Sequence, residues 1–340
     1  MSTLATLERP SYPAVTRDES SGAALVFFAA DTSSEEFLPL SLVYPGRETG
    51  AGVSRMRIEL ERGARARLVL RYGTAGILPE AQPEGSKHTG GNSSDGAIMG
   101  GGSTLPVFRT ALDIRLDADA RLELFVVSAL PRGLGREAVD TAILGDRARL
   151  VWTEAGFDEG EGRYELGVDL SGKASELDFA GAYGAAGKTD RLHVLNERHG
   201  APGARSRAVM KSALRDSARL CFRGLIHVEP GAPGTDAYLS NRNLILDDGA
   251  RAESLPQLRI ETDDVACSHG SATGGPREEE MFYLMSRGLD RDSARRLLVL
   301  GHLGSVLDRA PPDLAGELED LAARALGGAA GAEAGAGVRP

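Results

Sequence analysis

One short unit recurs along this chain: an apolar alternation ending in Leu, three turn-type residues, then Ala and a second alternation. The copies run from Leu60 to Ala64, Leu116 to Ala120, Leu144 to Ala148, Leu170 to Ala174, Leu214 to Ala218 and Leu246 to Ala250. An Arg follows the Ala in five of the six. The intervals are 56, 28, 26, 44 and 32 residues. A unit of about 28 residues fits if the first gap holds a second unit and the 44-residue gap carries an insertion. Apolar residues around each turn fall on one side with period two, as in Ile58, Leu60, Ala66, Leu68 and Leu70. Period two means strands with one buried face. The Asp, Gly and Ser between them are turn formers, and the Ala suits a place where chains approach closely. Strand–turn–strand units that stack and bury a continuous seam make a β-solenoid. A β-sandwich of similar hairpins is the plainer alternative.

Composition narrows the class. At 340 residues the chain is long enough for about two domains. Lys and Arg number 39 against 49 Asp and Glu, a net charge of −10. That balance argues against general nucleic-acid binding and against a polybasic membrane anchor. Apolar residues make up 41%, enough for a core, while aromatics are 5% and Gly numbers 43. Thin layers of small side chains fit this better than one thick core. Two cysteines, Cys221 and Cys267, are too few for a disulfide framework. Met1 to Asp18 shows no signal-peptide pattern. The apolar run Ala23 to Ala30 falls far short of the roughly 20 residues of a membrane span. The expectation is a cytoplasmic protein with no nucleic-acid or membrane partner.

The chain divides by pattern. Residues 1–20 read as a short N-terminal segment without order of their own. A β-helix core is expected over 21–276, with a flexible Gly/Ser/Asn/Pro insert at 79–104. After Pro276 the period turns helical: a helix from Glu278 to Arg287 stopped by Gly288, a second capped by Asp290, and a third from Asp313 to Leu326. Residues 327–340 read as a disordered tail.

Candidate chemistry is sparse. Gly184 to Thr189 superficially suggests a phosphate loop, but the first Gly is replaced by Ala182, and a strand rather than a helix is expected next. A turn is the plainer reading. His193 and His199 lie six apart and their spacing allows them to converge. Asp263 and Asp264 point to opposite faces of a strand, a poor acid/base pair. Cys267 and His269 are two apart on an expected strand and so share a face. Thiolate and imidazole ligate iron or zinc, yet two ligands cannot close a site.

The stretch from Ser240 to Leu307 resembles the SufB/SufD family of iron–sulfur cluster assembly scaffolds, its SufD branch in particular. The residues that carry the resemblance are Asn241 to Leu246, Leu255 to Ile260, Asp263 to Gly270 and Glu279 to Gly288. The resemblance implies a right-handed parallel β-helix followed by a small α-helical domain. It implies a non-enzymatic scaffold that pairs with a SufB-like β-helix subunit and a SufC-like ABC ATPase, or a homodimer when alone. It further implies that His269, with Cys267 beside it, contacts iron or a nascent Fe–S cluster at the shared interface, none being held stably by this chain alone. Asn241, Asn243, Pro256 and Gln257 are expected at the sister-subunit interface. Phe282, Tyr283, Arg287 and Gly288 are expected where the ATPase docks. Asn241 falls where the SufB branch carries its cluster-building Cys. Two departures from the family are a missing or shortened N-terminal helical segment and Ser271 to Gly274 in place of the usual Ala-Thr-Val-Gly. A carbohydrate-acting β-helix enzyme is the alternative from another class.

Overall fold

The computed structural model describes residues 14–17, 24–44, 53–74 and 106–326. Seventeen strands form two parallel sheets that face each other. The first sheet holds β2 (Ala24–Phe28), β4 (Val53–Leu60), β6 (Val107–Leu116), β8 (Gly135–Leu144), β10 (Gly162–Leu170), β12 (Asp190–His199), β14 (Arg219–Val228) and β16 (Arg251–Ile260). The second holds β3 (Ser33–Tyr44), β5 (Arg65–Thr74), β7 (Arg121–Ser128), β9 (Arg149–Gly156), β11 (Glu176–Ala185), β13 (Arg205–Leu214), β15 (Thr235–Ile245) and β17 (Val265–Gly274). Successive strands alternate between sheets, so each even–odd pair is one rung of a parallel β-solenoid. At the N-terminal end β1 (Ala14–Arg17) pairs antiparallel with β2. It lies within the segment read from sequence as having no order of its own. The rest of that segment, the 79–104 insert and the 327–340 tail lie outside the described residues.

The sequence repeat marks the corners. Leu60, Leu116, Leu144 and Leu170 each end a first-sheet strand. Ala64, Ala120 and Ala148 stack fully buried just beyond the turns. Two readings of the intervals are corrected by the register. Leu60 lies opposite Leu116, so the 56-residue interval is a single rung; the additional residues fall between β5 and β6. The 44-residue interval is not an insertion. Leu170 closes β10 in the first sheet, whereas Leu214 closes β13 in the second, so the motif passes from one corner to the other. Both corners demand the same chemistry, a last inward Leu and a small residue where backbones crowd. One turn position takes a positive φ at Gly63, Asp119, Arg147 and Gly203, and at Gly187 and Asp216 across the solenoid. The Gly184–Thr189 stretch is thus the turn from β11 into β12. It opens a strand and has none of the helix a phosphate loop requires.

Two apolar layers hold the fold. One fills the solenoid, from Val26 and Phe28 through Trp152 and Phe179 to Phe222 and Leu239. The other lies on the outer face of the second sheet. There Val69, Phe125, Val127 and small residues such as Ala155, Ala180 and Ala182 receive the helices. Helix α1 (Glu278–Ser286) ends at Arg287 and Gly288, whose φ of +94° provides the expected stop. Asp290 caps α2 (Arg291–Leu307) by accepting from the Ser293 N–H. The third expected helix begins as a 3-10 turn at Pro312–Leu314 and continues as α3 (Ala315–Ala325). Val299, Leu303 and Val306 of α2 and Leu318 and Ala322 of α3 pack on the sheet. Arg71 pairs with Glu317, and Arg309 with Asp178 at 2.8 Å. The helical segment is a layer folded back on the solenoid.

Turn stacking makes a sharp prediction. A Cβ on Gly172 would lie 1.9 Å from the Gly145 carbonyl carbon of the rung below, whereas one on Gly167 meets nothing within 4 Å. Gly172→Ala is expected to destabilise by roughly 1–3 kcal/mol. Gly167→Ala is expected to be within about 1 kcal/mol of wild type. Urea-unfolding midpoints of the two variants check this; equal midpoints would refute it.

Candidate functional site

Among the described residues nothing caps the solenoid at its C-terminal end. Strands β16 and β17 are the last of their sheets. Their inward positions continue buried columns but have no rung above them. Leu258 and Ile260 lie opposite Ile226 and Val228. The lower pair is fully buried, while Leu258 is 37% and Ile260 40% exposed. Pro256 in β16 fits an edge strand, where a missing N–H is tolerated.

Cys267 and His269 occupy the same inward face of β17. Cys267 lies opposite Ala237 and His269 opposite Leu239, both buried core residues. Cys267 is half-buried against the core and His269 is exposed. Burial pushes the Cys267 thiol up, a backbone N–H at Ala237 opposes this, and the Asp236 and Glu197 carboxylates add to the rise. Cys267 is therefore a neutral thiol near pH 7, and a metal that takes it as a ligand must displace its proton. Among the described residues no group of three or more His, Cys, Asp or Glu could hold a metal ion.

The other residues singled out from sequence fall into two places. Asn241 and Asn243 lie buried beneath β17, opposite Ser271 and Thr273. Asn243 donates to Asn241 Oδ1 at 2.8 Å and to Thr273 Oγ1 at 3.1 Å, and accepts from Ser212 at 2.7 Å. They brace the terminal rung from below. Pro256 is half-buried and Gln257 exposed on β16. Phe282, Tyr283, Arg287 and Gly288 are all exposed on α1 and its stop, Phe282 at 75%. With Met285 and Leu297 they leave an apolar helical surface that the solenoid does not cover.

His193 and His199 do not converge. Both point inward from β12, about 20 Å apart along an extended strand. His193 is stacked on Tyr164 at 4.5 Å and tilted against Tyr183 at 4.2 Å. Burial, with Arg191 and Arg136 nearby, drives its pKa well down, so it is neutral. His199 Nε2 lies 3.2 Å from Ser206 Oγ, whose proton goes to Glu197. The imidazole must then donate through Nε2. Cys221 is half-buried on the outer face of β14, away from Cys267.

A polar seam inside the solenoid was not expected from sequence. Arg136, 1% exposed, lies over the Tyr72 ring at 3.7 Å and within 3.9 Å of Glu154 and Asp158. Tyr164 donates to Asp158 at 2.8 Å and Tyr183 to Glu154 at 3.1 Å. Asp140 accepts from the Leu112 N–H at 3.0 Å. Burial raises the Asp140 pKa to about 7, Arg136 opposes this, and Glu154 adds to it. The detectable signal was phase. Counted in twos from the corners, the inward positions of β12 are Arg191, His193, Leu195, Glu197 and His199, while Leu192 and Val194 face out.

Comparison with known proteins places this geometry in context. Residues 95–302 match the family model of the SUF system FeS cluster assembly, SufBD core domain. An iron–sulfur cluster assembly SufBD family protein of Mycobacterium leprae is 33% identical over 202 residues, covering 57% of this chain and 52% of the relative. A relative of the same description from Mycobacterium bovis is 37% identical over 153 residues, 43% of this chain and 38% of that one. The iron–sulfur cluster assembly protein SufD of Escherichia coli is 39% identical over 94 residues, 28% of this chain and 22% of that one. The matches thus span about half or less of these relatives. These matches give the carbohydrate-acting alternative no support.

The buried carboxyl makes stability pH-dependent. A pKa raised by folding contributes stability that is complete below the unfolded value of about 4 and lost as pH rises through about 7. Asp140→Asn keeps an acceptor for Leu112 without a charge to bury. Its urea midpoint is expected to lie closest to wild type near pH 4, to gain on it as pH rises from about 4 to about 7, and to keep a constant advantage above that. A wild-type advantage that grows with pH contradicts this.

Proposed function

The chain belongs to the SufBD family of the SUF iron–sulfur cluster assembly system, and from that premise we propose that it is the SufD-like, non-enzymatic scaffold of a cytoplasmic assembly complex. The observation that carries the reading is the open terminal rung, which presents Cys267 and His269 beside exposed Leu258 and Ile260. An edge strand with unpaired backbone groups is a template for another strand, and a monomer that exposes one invites pairing. A SufB-like β-helix subunit continues the ladder there. The nascent cluster or its iron is the cargo of that interface, with the sister chain supplying the ligands that Cys267 and His269 lack. A SufC-like ABC ATPase takes the exposed face of α1 through Phe282 and Tyr283, with Arg287 and Gly288 at its end. No described helix is long and apolar enough to cross a membrane.

Two measurements test the reading. Purified alone and incubated with iron and sulfide, the chain is expected to retain little cluster and to run as a monomer or homodimer; stoichiometric cluster on the lone chain contradicts it. Co-expressed with SufB-like and SufC-like partners, the His269→Ala variant is expected to assemble normally and to yield several-fold less cluster. Unaltered yield removes His269 from the role, and failure to recover either partner with the wild-type chain removes the complex.

A further inference from the structure

Apolar patterning does little to fix the terminal strand β17. On β7 the inward positions include Leu122, Leu124 and Val126, all buried in the core. On β17 they are Val265, Cys267, His269, Ser271 and Thr273, of which Val265 and Cys267 pack against that core. The alternate set is Ala266, Ser268, Gly270 and Ala272, so a slipped strand would bring no bulky side chain inside. Register is weakly specified in strands that are polar or Gly-rich on both faces, and a slip of one residue turns every side chain over. Such a slip would carry Cys267 and His269 to the outer face together. The strand also has a neighbour in its sheet on one side only.

Two contacts hold its ends. In the corner before the strand, the Gly234 N–H donates to the Asp264 carbonyl at 2.6 Å. At the exit, Thr273 Oγ1 accepts from Asn243 Nδ2 at 3.1 Å. Among the described residues this is the one hydrogen bond between side chains that β17 makes. Asn243 is itself fixed. It is buried, and its Oδ1 accepts from the Ser212 hydroxyl at 2.7 Å. Both amide protons are then left to donate, one to Asn241 Oδ1 at 2.8 Å and one to Thr273. Ser212, Asn243 and Thr273 lie in register on β13, β15 and β17, so each link of the column donates toward the open end. Beyond Thr273 the chain passes through Gly274 and Gly275 to α1, of which only Met281 is buried. We propose that Asn243 and Thr273 are positioning residues: their hydrogen bond pins the register of the terminal strand and so keeps Cys267 and His269 on the inward face of the open rung. A slip of one residue either way puts Ala272 or Gly274 opposite Asn243, and neither has a side-chain acceptor. A buried amide proton left without an acceptor is costly, so the column penalises the slip. The pin rests on the geometry of this chain; its bearing on the cargo rests on the scaffold reading above.

Amide exchange on the isolated full chain tests the pin. Thr273→Val keeps the shape of an exposed side chain and removes the acceptor. Residues 268–274 are expected to exchange about ten-fold faster in this variant, while β10 to β13 and the melting temperature stay as in wild type. Thr273→Ser, which restores the hydroxyl, is expected to return the wild-type rates. Ser271→Ala, one inward position earlier on the same strand, is expected to change nothing. Unchanged exchange in Thr273→Val, no rescue by Thr273→Ser, or an equal effect of Ser271→Ala overturns the proposal. In the complex with SufB-like and SufC-like partners, Thr273→Val is expected to assemble and to yield several-fold less cluster, and Thr273→Ser to restore the yield. Full yield from a loosened strand removes the positioning role. Loosened exchange in Thr273→Val together with full cluster yield from His269→Ala contradicts the scaffold reading and leaves the pin standing.

Discussion

Every rung of this molecule is held by the parallel backbone ladder to the rung before it from β2 to β17, with one shift of register in β3 between Ser33 and Phe37. That ladder fixes which side chains stack. Leu60 on Leu116 and Ala64 beneath Ala120 follow from it, and so do the arginines that repeat on the outer face. It also has an unavoidable end. A parallel solenoid satisfies each strand's hydrogen bonds with its two neighbours, and the last strand has only one. The functional reading of the chain grows from that unsatisfied end.

The remaining surface of the solenoid is not equivalent around its circumference. The outer face of the second sheet carries apolar residues such as Val69, Phe125 and Val127, which would be exposed without the helices laid over them. Packing α2 and α3 there consumes their apolar stripes. Helix α1, which buries only Met281, is left with Phe282 and Tyr283 facing outward. The same folding event thus covers one apolar surface and presents another. Arg309, just beyond α2, ties the helical layer to Asp178 on β11.

Much of this was legible in the sequence, for physical reasons that can be traced residue by residue. The Leu–turn–Ala unit reports a corner because only small side chains fit where turns stack, as the contact between Gly172 and Gly145 illustrates. Gly288 and Asp290 reported helix boundaries through φ and capping. Which corner a copy marks was not legible, since Leu170 and Leu214 obey the same local rule at opposite sides of the solenoid. The inward polar seam was hidden for a related reason. On β12 the outward Leu192 and Val194 look like core, and the inward His193 and Glu197 look like surface, unless the phase is carried over from the corners. The resemblance located Cys267 and His269, and the register then put them on the uncapped face. It put Asn241 and Asn243 one layer deeper.

The most direct test of the account is amide hydrogen exchange across the terminal rung, measured on the chain alone and with a SufB-like partner. The account predicts that amides of residues 251–260 and 265–274 exchange fastest among the solenoid strands in the isolated chain and become strongly protected in the complex, while those of β10 to β13 change little. Protection of the terminal strands that is already complete in the isolated monomer, or gained elsewhere on the solenoid when the partner binds, would contradict it.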